Sequence, residues 1–156
     1  MIAIVPAVPE DAAVIHEIQM LAFAAEGRLS ENVQIPPLTE TVDAIELLIR
    51  TQTVLVARDG ERIVGSARGI VDGSVCTLRG VIVEPACQGR GIGALLLCAV
   101  EQLHPDVERF LLTTNTLVPG NVQFYERHGY RVDELTQYNE RIVLAQMSKL
   151  GSTIDL

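Results

Sequence analysis

At 156 residues and a formal net charge of −8, the chain is long enough for one domain with its own core and too short for two ordinary ones. Hydrophobic residues make up 48% and aromatic residues only 4%, with no tryptophan, so the core has to be aliphatic; a charged fraction of 21% argues against intrinsic disorder. The acidic balance disfavours nucleic acid as a partner, because phosphate binding needs a basic surface.

The three cysteines, Cys76, Cys87 and Cys98, form no CxxC pair and have no close histidine, so neither a disulfide framework nor a metal site is expected. The first positive side chain is Arg28, and an ordinary secretory signal is therefore not expected. No apolar run approaches the ~20 residues of a membrane helix. These features together predict a cytoplasmic protein with no membrane partner.

In chain order, residues 1–5 are apolar and predict a short first strand. Pro9-Glu10-Asp11 supplies a helix start, with proline in the first turn and acids where the helix dipole favours them. Val14, Ile15, Ile18, Leu21, Ala22 and Ala25 then share one helical face, and Gly27 is the expected stop. Residues 28–38 read as irregular because Pro36-Pro37 prevents helix. A second helix is predicted over 40–50.

Residues 53–58, 62–71 and 74–83 are apolar and β-branched runs separated by Asp59-Gly60 and Asp72-Gly73, which predicts an antiparallel meander of three strands. After Pro85 the period changes. Ile92, Leu95, Leu96, Ala99, Val100 and Leu103 predict a helix over 89–104. A strand over 109–114, a helix over 119–128 and a strand pair over 130–135 and 141–147 complete the order. The expected fold is a single mixed α/β domain over 1–156. Its largely antiparallel sheet has six or seven strands flanked by about four helices, and 149–156 form a short C-terminal tail.

The stretch with most chemical content runs from Val81 to Ala94, VIVEPACQGRGIGA. A strand ends, a proline stops ladder pairing, and a glycine-rich loop opens an apolar helix. Glycines leave main-chain N–H groups uncovered, and the first helical turn adds unpaired donors at the positive end of the dipole. Such a loop suits a pyrophosphate, and several ligands contain one. Gly89-x-Gly91-x-x-Ala94 also fits the relaxed dinucleotide pattern. However, an antiparallel meander precedes it, and the next strand ends in Thr114-Asn115 rather than an acid. No Lys-Ser/Thr follows the glycines, so the Walker pattern fails.

At these residues the chain resembles the GNAT superfamily of N-acetyltransferases. Gln88-Gly89-Arg90-Gly91-Ile92-Gly93 is similar to the family's coenzyme A signature, and Val83-Glu84-Pro85 to the V-x-P that usually precedes it. A second element, Asn121-Val122-Gln123-Phe124-Tyr125 with Gly129-Tyr130, follows in the family's order. One departure is Cys87, where members often carry an aromatic residue.

The resemblance implies acetyl-CoA as cofactor, with CoA as product, and direct transfer of the acetyl group to a primary amine in a ternary complex. It implies that Gln88, Gly89, Arg90, Gly91, Gly93 and Ala94 hold the pyrophosphate, mostly through main-chain amides. Val81 and Val83 would line the acetyl-pantetheine arm, with the Val83 N–H polarising the thioester carbonyl while both side chains pack. Tyr125 resembles the tyrosine that many members place near the sulfur as general acid. It also stands at helical spacing from Val122, as a packing residue would. Asn121 would contact the pantetheine arm, or else cap its helix.

For a general base the sequence offers Glu84, just after the oxyanion strand, and Glu26; each also reads as a solvated carboxylate. The acceptor, a small-molecule or peptide amine, is not specified by any motif. Dimerisation is common in the family, and no residue pattern identifies an interface. Two other functions stay open: an acyl-CoA-binding domain without turnover, and a nicotinamide-dependent oxidoreductase.

Overall fold

The computed structural model describes residues 1–29 and 39–151, the side chains of 25–29 excepted. The Pro36-Pro37 segment expected to be irregular lies outside the described residues, as does the side chain of Glu26. Strands β1 (Ile2–Pro6), β2 (Thr53–Asp59), β3 (Arg62–Asp72), β4 (Val75–Val83), β5 (Arg109–Asn115), β6 (Arg131–Gln137) and β7 (Val143–Leu150) form one sheet. The described helices are α1 (Ala12–Leu29), α2 (Val42–Thr51), α3 (Ile92–Leu103) and α4 (Asn121–Arg127). None of them is long and apolar enough to cross a membrane.

The sheet runs β1-β2-β3-β4-β5-β7-β6. The meander β2-β3-β4 is as expected, with both Asp-Gly turns placing glycine at positive φ. β7 inserts between β5 and β6, and every pairing is antiparallel except β4 with β5. That parallel pair is short: Val75, Cys76 and Thr77 face Arg109, Phe110 and Leu111, and no further residues pair. Beyond Thr77 and Leu111 the two strands part, which leaves a gap in the middle of the sheet.

The aliphatic core divides between the two faces. Ile15 and Ile18 of α1 and Ile45 of α2 bury with Val54, Val56, Ile63 and Ile82 on one face. On the other, Ile92, Leu96, Leu97 and Val100 of α3 bury with Leu55, Val64, Cys76, Leu78 and Phe110. Transfer of such side chains from water contributes roughly 1.5–3 kcal/mol each.

Several expected boundaries move, each for a local reason. α1 runs through Gly27 to Leu29; a helical glycine costs only about 1 kcal/mol, too little to stop a helix with no proline behind it. α2 starts after Glu40, because the Thr41 side chain accepts from the Ala44 N–H at 3.1 Å and caps it. α3 begins at Ile92 rather than Gly89, since Pro85–Cys87 form a 3₁₀ turn and Gly91 takes a left-handed conformation (φ 78°) as the N-cap. α4 begins after Gly120, which is its N-cap, so Asn121 does not cap it.

The expected tail over 149–156 is also corrected. β7 continues to Leu150, which pairs with Arg109, and Gly151 is buried with its N–H donating to the Glu108 carbonyl at 2.8 Å. Residues 152–156 lie outside the described residues.

Candidate functional site

The gap between β4 and β5 organises the site. The register changes from Ser66↔Ile82 to Arg68↔Arg79, so Gly80 and Val81 of β4 together oppose the single residue Ala67 of β3. This is a β-bulge, and Gly80 (φ 56°) supplies the left-handed residue such a bulge uses. Further along, the Glu84 N–H donates to the Val64 carbonyl at 2.8 Å. Successive N–H groups of a strand point to opposite sides, so the Val83 N–H points away from β3 and into the gap. The Val83 carbonyl, on that same side, accepts from the Gln88 side-chain amide at 3.3 Å. Gln88 thereby ties the loop to the strand end.

The loop that follows presents main chain. Gly89 (φ 84°) and Gly91 (φ 78°) need the left-handed conformation, and a Cβ built on either meets no atom within 4 Å. The first α-helical bond into α3 runs from the Leu95 N–H to the Gly91 carbonyl at 3.1 Å. By helix geometry the N–H groups of Ile92, Gly93 and Ala94 are left to point outward at the positive end of the dipole. Open space over glycines beside unpaired donors is the arrangement that a pyrophosphate fits. Arg90 extends sideways from the loop and lies 3.6 Å from the Asp59 carboxylate. A Cβ on Gly93 would lie 3.6 Å from the Phe124 ring, so the first turn of α3 meets α4.

At the opposite part of the gap lies a cavity of about 500 Å³. β4 contributes Thr77 to Val81, β5 contributes Leu112 to Asn115, and α4 contributes Asn121 and Tyr125. The Asn121 amide donates to the Thr114 hydroxyl at 3.1 Å, which anchors this side chain on the cavity wall. The Tyr125 ring packs edge-on against Phe124 (5.0 Å between centroids) and Tyr130 (6.0 Å). Tyr130 is itself fixed, since its hydroxyl donates to Glu101 at 2.6 Å and Lys149 lies 3.1 Å from the same carboxylate. Burial, then the bond to Glu101, pushes the Tyr130 pKa far up, so that phenol keeps its proton.

Of the residues anticipated from sequence, Val81, Asn121 and Tyr125 come together in the cavity, and Gln88, Gly89, Gly91, Gly93 and Ala94 in the loop. Glu84 joins neither group. Its carboxylate is ion-paired with Arg62 and lines a separate groove with Asp11, Glu17, Arg58 and Glu61, on the far side of the strand end.

Sequence reasoning missed a buried polar cluster on the cavity wall. Arg68, at the centre of β3, is only 5% exposed. Its guanidinium donates to both oxygens of Glu40 at 2.9 Å and to the Gln19 carbonyl at 2.9 Å. The Gln19 amide closes the ring by donating to Glu40 at 2.9 Å. Burial alone would raise the Glu40 pKa, but the bonds from Arg68 and Gln19 and the Arg68 charge outweigh it and hold it below the ordinary carboxylate value. One signal was present: Arg68 is the lone charged residue in the otherwise apolar or small run 63–71.

This arrangement, a glycine loop with outward main-chain donors at one part of the gap and a cavity lined by a phenol at another, suits transfer of an acyl group from a phosphate-bearing carrier. The comparisons with known proteins agree. No curated protein matches the chain in sequence. Among solved structures of similar fold is a GNAT-family acetyltransferase from Streptococcus pneumoniae. It is 21% identical, with a TM-score of 0.71 over 97% of this chain and 100% of that one. The ribosomal-protein-S18-alanine N-acetyltransferase of Escherichia coli superimposes with a TM-score of 0.78 at 15% identity, covering 96% and 94% of the two chains. The PaiA N-acetyltransferase of Thermoplasma acidophilum, solved with coenzyme A, gives 0.71 at 15% identity over 96% and 99%. At these identities the likeness is one of fold. The sequence itself matches the acetyltransferase (GNAT) domain over residues 50–132, more than half of its length, from the end of α2 to β6. With the split sheet and the glycine cradle inside that match, the chain belongs to the GNAT family of acetyltransferases.

Proposed function

We propose that the protein transfers the acetyl group of acetyl-CoA to a primary amine, directly and within a ternary complex. The observation that supports this most is the junction at the β4–β5 gap. There the glycine loop and the outward-pointing Val83 N–H lie at the end of β4, and the cavity-lining phenol lies further back along the same gap.

Acetyl-CoA supplies an acyl group activated as a thioester. The amides of Gly89, Gly91, Gly93 and Ala94 bind its pyrophosphate, with Arg90 adding positive charge at the rim while it shares Asp59. Val81 and Asn121 position the pantetheine arm through the bulged main chain and the Asn121 side-chain amide. The Val83 N–H donates to the carbonyl oxygen that gains negative charge as the amine adds. Tyr125 gives its proton to the departing sulfur and regains one from the nitrogen that the acetyl group joins, and the packing of Phe124 and Tyr130 fixes its ring. Glu84 is engaged by Arg62 outside the cavity, so the nucleophile is an amine that arrives unprotonated rather than one deprotonated by Glu84.

Thermal unfolding with acetyl-CoA, CoA and NADH added separately tests the cofactor. A ligand at about 100 times its dissociation constant stabilises the fold by ~2.7 kcal/mol. Stabilisation by both CoA species together with thiol release in the presence of an amine supports the proposal. Stabilisation by NADH alone overturns it, and CoA binding without thiol release from any amine reduces it to a binding domain.

A further inference from the structure

The cavity wall that faces the acceptor carries an unbalanced charge. Arg68 and Arg79 are direct cross-strand partners on β3 and β4, an arrangement that is destabilising unless the charges are compensated. Glu40 answers Arg68 with hydrogen bonds and Arg79 only through its charge at a distance. Both oxygens of Glu40 are bonded to Arg68, and one also accepts from Gln19, so this carboxylate is fully engaged. Arg79 lines the same cavity, is exposed, and makes no ion pair or hydrogen bond with any described residue. Among the described residues, the ionised groups of the lining are two arginines and one carboxylate, in a chain whose net charge is −8.

A Cβ on Gly80 would lie 3.0 Å from the Arg68 side chain, so that side chain packs against the bulge next to Arg79. Around these charges the lining mixes apolar residues, Phe23, Leu112, Ile142 and Leu144, with polar ones, Thr77, Thr113 and Tyr138. A planar, five-donor guanidinium without a partner at a cavity surface matches a carboxylate.

We propose that the acceptor is a small amino acid with an apolar side chain, its carboxylate bound by Arg79 while its amine is presented towards Tyr125. This rests on the acetyl-transfer function proposed above. A polyamine would instead bring a second ammonium against an unpaired arginine, which costs rather than gains.

The test uses the full chain with acetyl-CoA and two matched series: L-leucine, L-methionine and L-phenylalanine, and the primary amides of the same three. Wild-type kcat/KM is expected to be at least ~10-fold higher for each acid than for its amide. In Arg79→Gln that ratio is expected to fall about 10-fold, to near unity, because the carboxylate loses its charged partner. Arg79→Lys, which keeps the charge without the fork, is expected to restore part of it. Independently of turnover, L-leucine added with CoA should raise the melting temperature of the wild type and not of Arg79→Gln.

Equal or better use of the amides by the wild type overturns the proposal. So does an unchanged ratio in Arg79→Gln, or the absence of turnover with all the amino acids while acetyl-CoA still stabilises the fold. Failure of acetyl-CoA itself to stabilise the wild type marks the loss of the underlying acetyl-transfer function instead.

Discussion

At the α3 end of the β4–β5 gap, the groups that face outward are main-chain amides held by left-handed glycines, all supplied by one loop of a few residues. At the cavity end they are side chains: Arg68 from β3 reaches Gln19 in α1, 49 positions away, and Glu40, 28 positions away. A site made of backbone recognises what every substrate of a family shares, because its shape depends on few residue identities. A site made of side chains from distant segments can be rebuilt residue by residue, and it is where members of one family are free to differ.

That contrast can be broken by mutation. The largest expected effect lies in the side-chain end. Glu40→Ala leaves Arg68 buried and uncompensated and should cost about 3 kcal/mol in urea unfolding. Combining Arg68→Met with Glu40→Leu should recover most of that loss; if the double variant is no more stable than Glu40→Ala, the cluster is not an ion pair in the energetic sense.

Next is Tyr125→Phe, which removes only the phenolic oxygen. Thiol release should fall about 100-fold with the acetyl-CoA thermal shift intact, and an unaffected rate would make Tyr125 a packing residue. Smaller again is Gly91→Ala. A left-handed alanine costs roughly 1–2 kcal/mol, and here it should also weaken acetyl-CoA binding. Gly60→Ala, at a similar φ of 66° in the β2–β3 turn, is the control. It should lose comparable stability and leave the cofactor affinity unchanged, so parallel behaviour of the two variants would remove the cradle from the site.

The smallest effect is one of pH. The Glu40 pKa is held below its ordinary value in the fold, so the unfolded chain takes up that proton first. The associated stability is fully present above the ordinary carboxylate value and is lost as pH falls through the depressed one. Melting curves of Glu40→Gln between about pH 3 and pH 6 should show a shallower decline than the wild type. Burial depresses His104 likewise, and its contribution declines below the ordinary histidine value. The two steps are therefore separable by their pH windows.

The same contrast explains what was legible in the sequence. The meander was readable because Asp59-Gly60 and Asp72-Gly73 mark their turns locally, and the glycine loop because Gly89, Gly91 and Gly93 alternate within one short stretch. Gly91, read as part of a helix, turned out to cap it, which is a matter of one backbone conformation that composition does not encode. The Arg68 cluster was hidden for a different reason. Nothing near Glu40 or Gln19 in sequence names Arg68 as a partner, and only the crossing of α1 over β3 and β4 brings them together. Glu84 shows the opposite case: it directly follows β4 in sequence, and the ion pair with Arg62 that holds its carboxylate is visible only in the fold.

The brevity of the β4–β5 pairing has one more consequence. A sheet ordinarily hides its hydrogen-bonding edges at its two margins, here β1 and β6, but this one also carries edges in its interior, along β4 after Thr77 and β5 after Leu111. Inner amides of this kind exchange their hydrogens with solvent as marginal ones do, although they sit midway across the sheet. An extended molecule carrying its own amides, laid along that seam, would then serve the sheet as a temporary strand. The protein would be stitched together by the compound it works on.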